Sequence, residues 1–294
     1  MNEIKVKARA KVNLALDVVG KRADGYHDLR MVMQTLSLAD DVSIRTDGRP
    51  DRIEVTSNIA WLPKDGKNLA YRAARLLMDK FGITSGVSID IFKKIPVSAG
   101  LGGGSADCAA VLSGMNGLFG LGLGLNELME LGATLGSDVP FCLFGGTALA
   151  EGVGERLTRL RPAPKAFVTL VKPPFSVSTP EVFRDFNPDG VREGPDIDGM
   201  IGEMEKGSLE GVCGCFGNTL ESVTVAKHPV LKYIKEFLRS AGAVGSLMSG
   251  SGPTVFGVFE TRPEAIYAAE QTEQRFRRIT DTYITEFYNS VNFS

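Results

Sequence analysis

From Ile4 to Val18 apolar and polar residues alternate. Ile4, Val6, Ala8, Ala10, Val12, Leu14, Leu16 and Val18 share one face; Lys5, Lys7, Arg9, Lys11, Asn13 and Asp17 share the other. A period of two predicts a strand or hairpin arm with one wet side, and Lys11 and Asn13 project together from its polar face. Met31–Leu38 reads as a buried strand, and 42–44 and 53–56 continue what looks like an antiparallel sheet. Over 68–82 the period changes: Leu69, Ala73, Leu76, Leu77 and Phe81 recur at helical spacing and Gly82 closes the run. Val87–Phe92 is again a strand. Helices are predicted over 106–119 and 125–135, and a strand with tight turns over 145–155. A proline-rich stretch at 161–165 marks a boundary, so the expected domains are 1–160 and 161–294. In the second, strands are predicted at 166–172, on both sides of 249–254 and at 282–287. One of its helices is capped at Thr179, and others cover 218–221, 228–240 and 263–277. The charged, glycine-rich stretch 189–211 reads as variable, and 288–294 carries no signal.

Composition narrows the function classes. The 294 residues include 33 basic and 35 acidic side chains, a net charge of −2, without the basic face that phosphate contacts to nucleic acid demand. No apolar run reaches the length of a bilayer span, and the N-terminus interleaves charge with apolar residues. A cytosolic protein with no membrane or nucleic-acid partner is expected, its oligomeric state open. Four cysteines lack the paired spacing of a zinc site. Reduced thiols are expected, and Cys108 reads as a small apolar packing residue.

The chemistry concentrates in one loop, Pro96, Val97, Ser98, Ala99, Gly100, Leu101, Gly102, Gly103, Gly104, Ser105 and Ala106, between the strand at 87–92 and an alanine-rich helix. Glycines let the backbone turn through positive φ and approach a ligand closely. A helix opening at Gly104 or Ser105 aims unpaired N–H groups and the positive end of its dipole at that ligand, which suits phosphate. A Walker loop is excluded, because Ser105 stands five beyond Gly100 and no lysine follows. A dinucleotide fingerprint is excluded as well, because its sixth position falls on Ser105 or Asp107. The protein-kinase His-Arg-Asp and Asp-Phe-Gly pair is absent.

Pro96–Ala110 resembles the phosphate loop of the GHMP kinases, the superfamily of galactokinase, homoserine kinase, mevalonate kinase and phosphomevalonate kinase. Ala10–Leu14 resembles its first motif, and Gly245–Gly257 its third. The string Arg22-Ala23-Asp24-Gly25-Tyr26-His27 resembles a signature of the branch that acts on a cytidine diphosphate-linked methylerythritol. The resemblance implies an α+β, two-domain GHMP-kinase-like fold, with mixed and antiparallel sheets, helices packed against them and the active site in a cleft between the domains. It also implies an ATP-dependent kinase, with Mg²⁺ expected, for the 2-hydroxyl of 4-diphosphocytidyl-2-C-methyl-D-erythritol in the non-mevalonate isoprenoid pathway. The alternatives are another small alcohol, such as homoserine or mevalonate, and an inactive nucleotide-binding regulator.

By the same resemblance Lys11 and Asp138 are catalytic, the latter within Gly136-Ser137-Asp138-Val139-Pro140 as the base. Asn13, Tyr26, His27, Met33 and Phe183 hold the substrate, with Met33 where the family usually has phenylalanine. Asn68 lies near the adenosine. Each has a plainer reading beside it: a solvated edge strand for Lys11, packing for Tyr26, His27 and Phe183, helix N-caps for Asn68 and Asp138. Lys93 and Lys94 are read as available to phosphates or to water, and Asp107 as offsetting the helix dipole.

Overall fold

The alternation that begins at Ile4 is one uninterrupted strand, β1 (Glu3–Lys21), in the computed structural model, which describes residues 2–188, 194–276 and 280–290. Its one-sided character lasts only to Arg9. From Ala10 to Leu16 both faces are buried, and Lys11 and Asn13 keep 4% and 1% of their surface. The solvated-edge reading of Lys11 is therefore corrected: other chain segments cover the polar face. The separate strands expected at 31–38 and 42–44 are likewise one strand, β2 (His27–Thr46).

The other elements follow in chain order. The next are β3 (Ile53–Ser57), α1 (Leu69–Phe81), β4 (Val87–Phe92), α2 (Gly103–Phe119), α3 (Leu125–Ala133), α4 (Val139–Phe144), β5 (Thr147–Gly152) and β6 (Arg156–Arg159). Then come β7 (Phe167–Lys172), α5 (Thr179–Asp185), α6 (Ile197–Lys206), α7 (Leu209–Gly214), β8 (Gly217–Asn218), α8 (Glu221–Lys227), α9 (Val230–Ser240), β9 (Gly245–Met248), β10 (Val255–Phe259), α10 (Arg262–Arg275) and β11 (Asp281–Glu286). One sheet runs β3-β4-β2-β1-β8, with β5 on β2 and β6 on β5. It is mixed, because β3 is parallel to β4 and β8 to β1 while β2 is antiparallel to β4 and β5. The other, β11-β7-β10-β9, is antiparallel throughout.

Backbone contacts group the chain into two compact units of interleaved segments, not two consecutive halves meeting near residue 160. One comprises 1–10, 38–97 and 102–144, the other 11–37, 98–101 and 145–294. In the first unit α1 and α2 pack through small residues, Ala70, Ala73 and Ala74 against Ala106, Ala109 and Ala110. Val42, Ile44, Val87, Ile89 and Ile91 complete the core from the strands. Helix α1 is closed at both ends, by Asn68 accepting from the Ala70 amide and by Gly82 in the left-handed region at φ 63°. In the second unit Leu231, Ile234 and Leu238 of α9 and Ala265 and Ala268 of α10 bury Val171, Met248, Val255 and Phe259 of the antiparallel sheet.

Asp138 directly precedes α4, the position the N-cap reading gives it, and Pro140 falls where a helix needs no N–H. Three readings change. Thr179 begins α5 instead of capping it; Ser178 is the N-cap. Asn218 is in a strand, not a helix. The stretch expected to be merely variable holds α6 and α7. Residues 189–193 of that stretch, Arg277 at the expected end of the closing helix, and 291–294 of the tail lie outside the described residues.

Candidate active site

The glycine loop turns through positive φ as expected, and the helix behind it opens at Gly103, before the expected Gly104 or Ser105. Gly100 and Gly102 hold φ of 76° and 70°, and α2 starts at Gly103 with no side chain capping Gly102. The Gly102 carbonyl accepts from the Ala106 amide, so the amides of Gly103, Gly104 and Ser105 precede the first internal helical bond and face outward. Such a 17-residue helix presents a positive pole to an anion. Ser105 is half-buried and Gly104 exposed. A methyl placed on Gly136 would meet Ser105 Oγ at 3.9 Å, so the segment that leads into Asp138 lies against this helix start. Asp138 is partly exposed and its carbonyl accepts the Cys142 amide of α4. The Asn68 side chain is engaged at both ends: Oδ1 accepts from the Ala70 amide, and Nδ2 donates to the Pro63 carbonyl at 2.7 Å.

Beneath the loop lies a charge cluster. Lys93 Nζ donates to Asp40 Oδ2 at 2.5 Å and to Asp107 Oδ2 at 2.7 Å, with side-chain exposures of 3%, 0% and 5%. Asp40 Oδ1 also takes the amides of Lys94 and Ile95. Asp107 Oδ1 has no hydrogen-bond partner among the described residues. Burial raises the Asp107 pKa, against the pull of Lys93. Burial opposes charge on Lys93 too, but the two carboxylates together outweigh it and hold the ammonium above its ordinary value. A methyl on Gly103 would stand 3.4 Å from Lys93 Nζ, so the cluster directly underlies the helix start. Lys93 thus faces neither water nor the outer side of the loop, and Asp107 is an ion-pair partner, not a free dipole complement. Lys94 does reach the surface, where it pairs with Asp41.

In the second unit, Lys11 Nζ donates to Asn13 Oδ1 at 2.9 Å and the Lys11 amide to the Leu101 carbonyl at 3.0 Å. Asn13 Nδ2 rests on Met31 Sδ at 3.4 Å. The turn 249–252 closes on the same residues: Ser249 Oγ donates to the Gly100 carbonyl at 2.9 Å. A methyl at Gly250 would lie 3.7 Å from Lys11 Nζ and 3.6 Å from Asn13 Oδ1. His27 stacks on Phe183 with ring centroids 5.3 Å apart, and Phe186 meets it edge-on at 6.5 Å. Desolvation and then the charge of Lys21 lower the His27 pKa, so at neutral pH the ring is an uncharged donor and acceptor. Tyr26 stands 66% exposed beside it. Met33 has no exposed surface, whereas Met31 touches Asn13. Met31 and Phe186 are the neighbours sequence reasoning missed; Met31 shares the face of β2 with Met33, two positions on.

Comparison with known proteins places the chain in a family. The family model described as the GHMP kinases N terminal domain matches residues 68–146, and that described as GHMP kinases C terminal matches 200–276. The chain belongs to the GHMP kinase family. It is 50% identical over 266 residues, 90% of this chain and 91% of the relative, to a 4-diphosphocytidyl-2-C-methyl-D-erythritol kinase of Geobacillus thermodenitrificans. To the protein of that name from Caldicellulosiruptor saccharolyticus it is 46% identical over 287 residues, 97% of this chain and 99% of the relative. A crystal structure of 4-(cytidine 5'-diphospho)-2C-methyl-D-erythritol kinase superposes with a TM-score of 0.81 at 34% identity, covering 98% of this chain and 100% of the other. The fold is shared more widely: a homoserine kinase from Cytophaga hutchinsonii superposes at 0.77 with 22% identity over 99% of this chain and 96% of its own.

Proposed function

We propose that this protein is an ATP-dependent kinase that phosphorylates the 2-hydroxyl of 4-diphosphocytidyl-2-C-methyl-D-erythritol. The observation that carries the reading is the uncapped start of α2 behind a loop with two left-handed glycines; the names of the curated relatives give the substrate. Phosphoryl transfer asks a protein to align donor and acceptor and to offset oxygen charge. In this reading the amides of Gly103, Gly104 and Ser105 receive the phosphates, and Lys11, fixed by Asn13, offsets charge. Asp138 takes the proton of the acceptor hydroxyl. Neutral His27 hydrogen-bonds the cytosine edge, while Tyr26 and Phe183 supply ring faces.

Among the described residues no three His, Cys, Asp or Glu side chains cluster as a metal cage. That donor set suits Mg²⁺ carried mainly by phosphate oxygens and water, with the Ser105 hydroxyl as the protein's contribution. When bound, the ion neutralises phosphate charge.

The test is Asp138→Asn. Turnover should fall about 10²–10⁴-fold while nucleotide and CMP still bind; unchanged turnover would remove the base. CMP should compete with the alcohol substrate, and a site indifferent to CMP would instead favour a GHMP kinase for a different alcohol.

A further inference from the structure

The two-residue strand β8 is the least conspicuous element of the fold, yet its Asn218 makes three hydrogen bonds. Its Nδ2 donates to the carbonyls of Met248 and Gly250, at 2.9 and 2.7 Å, and its Oδ1 accepts the Leu220 amide at 3.0 Å. The side chain is buried, 7% exposed. Its backbone is paired in parallel with β1 at Leu16, and the next residue, Thr219, bonds the Leu16 carbonyl and takes the Val18 amide. Asn218 is thus attached on one side to the strand that carries Lys11 and Asn13. On the other side it holds the turn whose Gly250 lies against those two residues.

We propose that Asn218 is a positioning residue for the phosphoryl-transfer site, its carboxamide setting the separation between the Lys11–Asn13 pair and the turn 249–252. Both bonded carbonyls belong to this turn or its entry, and Gly250 has φ 58°, so the turn has a shape that must be held from outside. The neighbouring bonds act on other atoms: Thr224 Oγ1 on the Ser251 carbonyl and Glu221 on the Met248 amide. With the Asn218 donors removed, the Met248 and Gly250 carbonyls lose buried partners and the turn relaxes away from Lys11. Misplacement of a reacting group by about 1 Å can cost about 10²-fold in rate. The inference rests on the reading of Lys11 as a catalytic group.

Asn218→Asp, of nearly equal size, keeps the acceptor and removes both donors. The full-length variant should lose about 10–100-fold in kcat, with KM for the cytidine substrate within about twofold and CMP competition intact. Lys11→Met and the double variant complete a cycle: if Asn218 acts through Lys11, the double variant should be hardly slower than Lys11→Met alone. Should the aspartate variant fail to fold, Asn218→Ser, with one donor, is judged by the same criteria. Normal kcat, or losses that multiply independently of Lys11→Met, would overturn the proposal. Full activity of Lys11→Met would instead refute the reading of Lys11.

Discussion

Replacing Lys93 by methionine keeps the aliphatic stem and deletes the one cation between Asp40 and Asp107. All three side chains are at least 95% buried. The ammonium makes two hydrogen bonds there, at 2.5 and 2.7 Å, so the substitution leaves two carboxyl groups facing each other in a low-dielectric site. Removing one partner of a buried ion pair costs about 3–5 kcal/mol, a large share of the roughly 5–15 kcal/mol that holds a domain together. Urea unfolding at pH 8, followed by circular dichroism, should show that loss. Asp107 also gives the stability a pH dependence. Its folded pKa is raised, chiefly by burial, from 3.8 to about 7. The unfolded chain therefore releases this proton first, and the contribution is complete below about pH 4 and declines as pH rises through about 7. Asp107→Asn should remove that slope. The Lys93→Met deficit should shrink toward pH 5, where a protonated Asp107 no longer needs the ammonium. A deficit under about 1 kcal/mol at pH 8, or one that is independent of pH, would refute this account.

Two further predictions follow from the site. Gly100→Ala should destabilise by about 2–5 kcal/mol, because φ is 76° and the added Cβ would stand 2.3 Å from the Ser249 carbonyl oxygen and 3.0 Å from that of Gly252; an unchanged Tm would contradict it. Phe183→Ala removes the ring stacked on His27 and should weaken CMP inhibition about 5–150-fold, with the Tm little changed because Phe183 is only half-buried; undiminished inhibition would exclude it from the base site.

Residue type alone determined the parts of this protein whose conformations are local. The period-two run after Ile4, the helix between Asn68 and Gly82, and the positive-φ glycines at 100 and 102 were legible because propensity, capping and the missing Cβ act within a few positions. Burial of charge and the pairing of distant segments were not. Lys93 read as open to phosphates or water and Asp107 as a dipole complement until β2 supplied Asp40, and the wet face of β1 disappeared at Lys11 because segments far along the chain cover it. Asn218 looked like the start of a helix, since two residues carry no period; it is a strand only because β1 lies beside it. Met31 and Phe186 had no motif to mark them. A side chain's surroundings depend on which segments the fold brings together, and that is a property of the tertiary structure, not of any window of sequence.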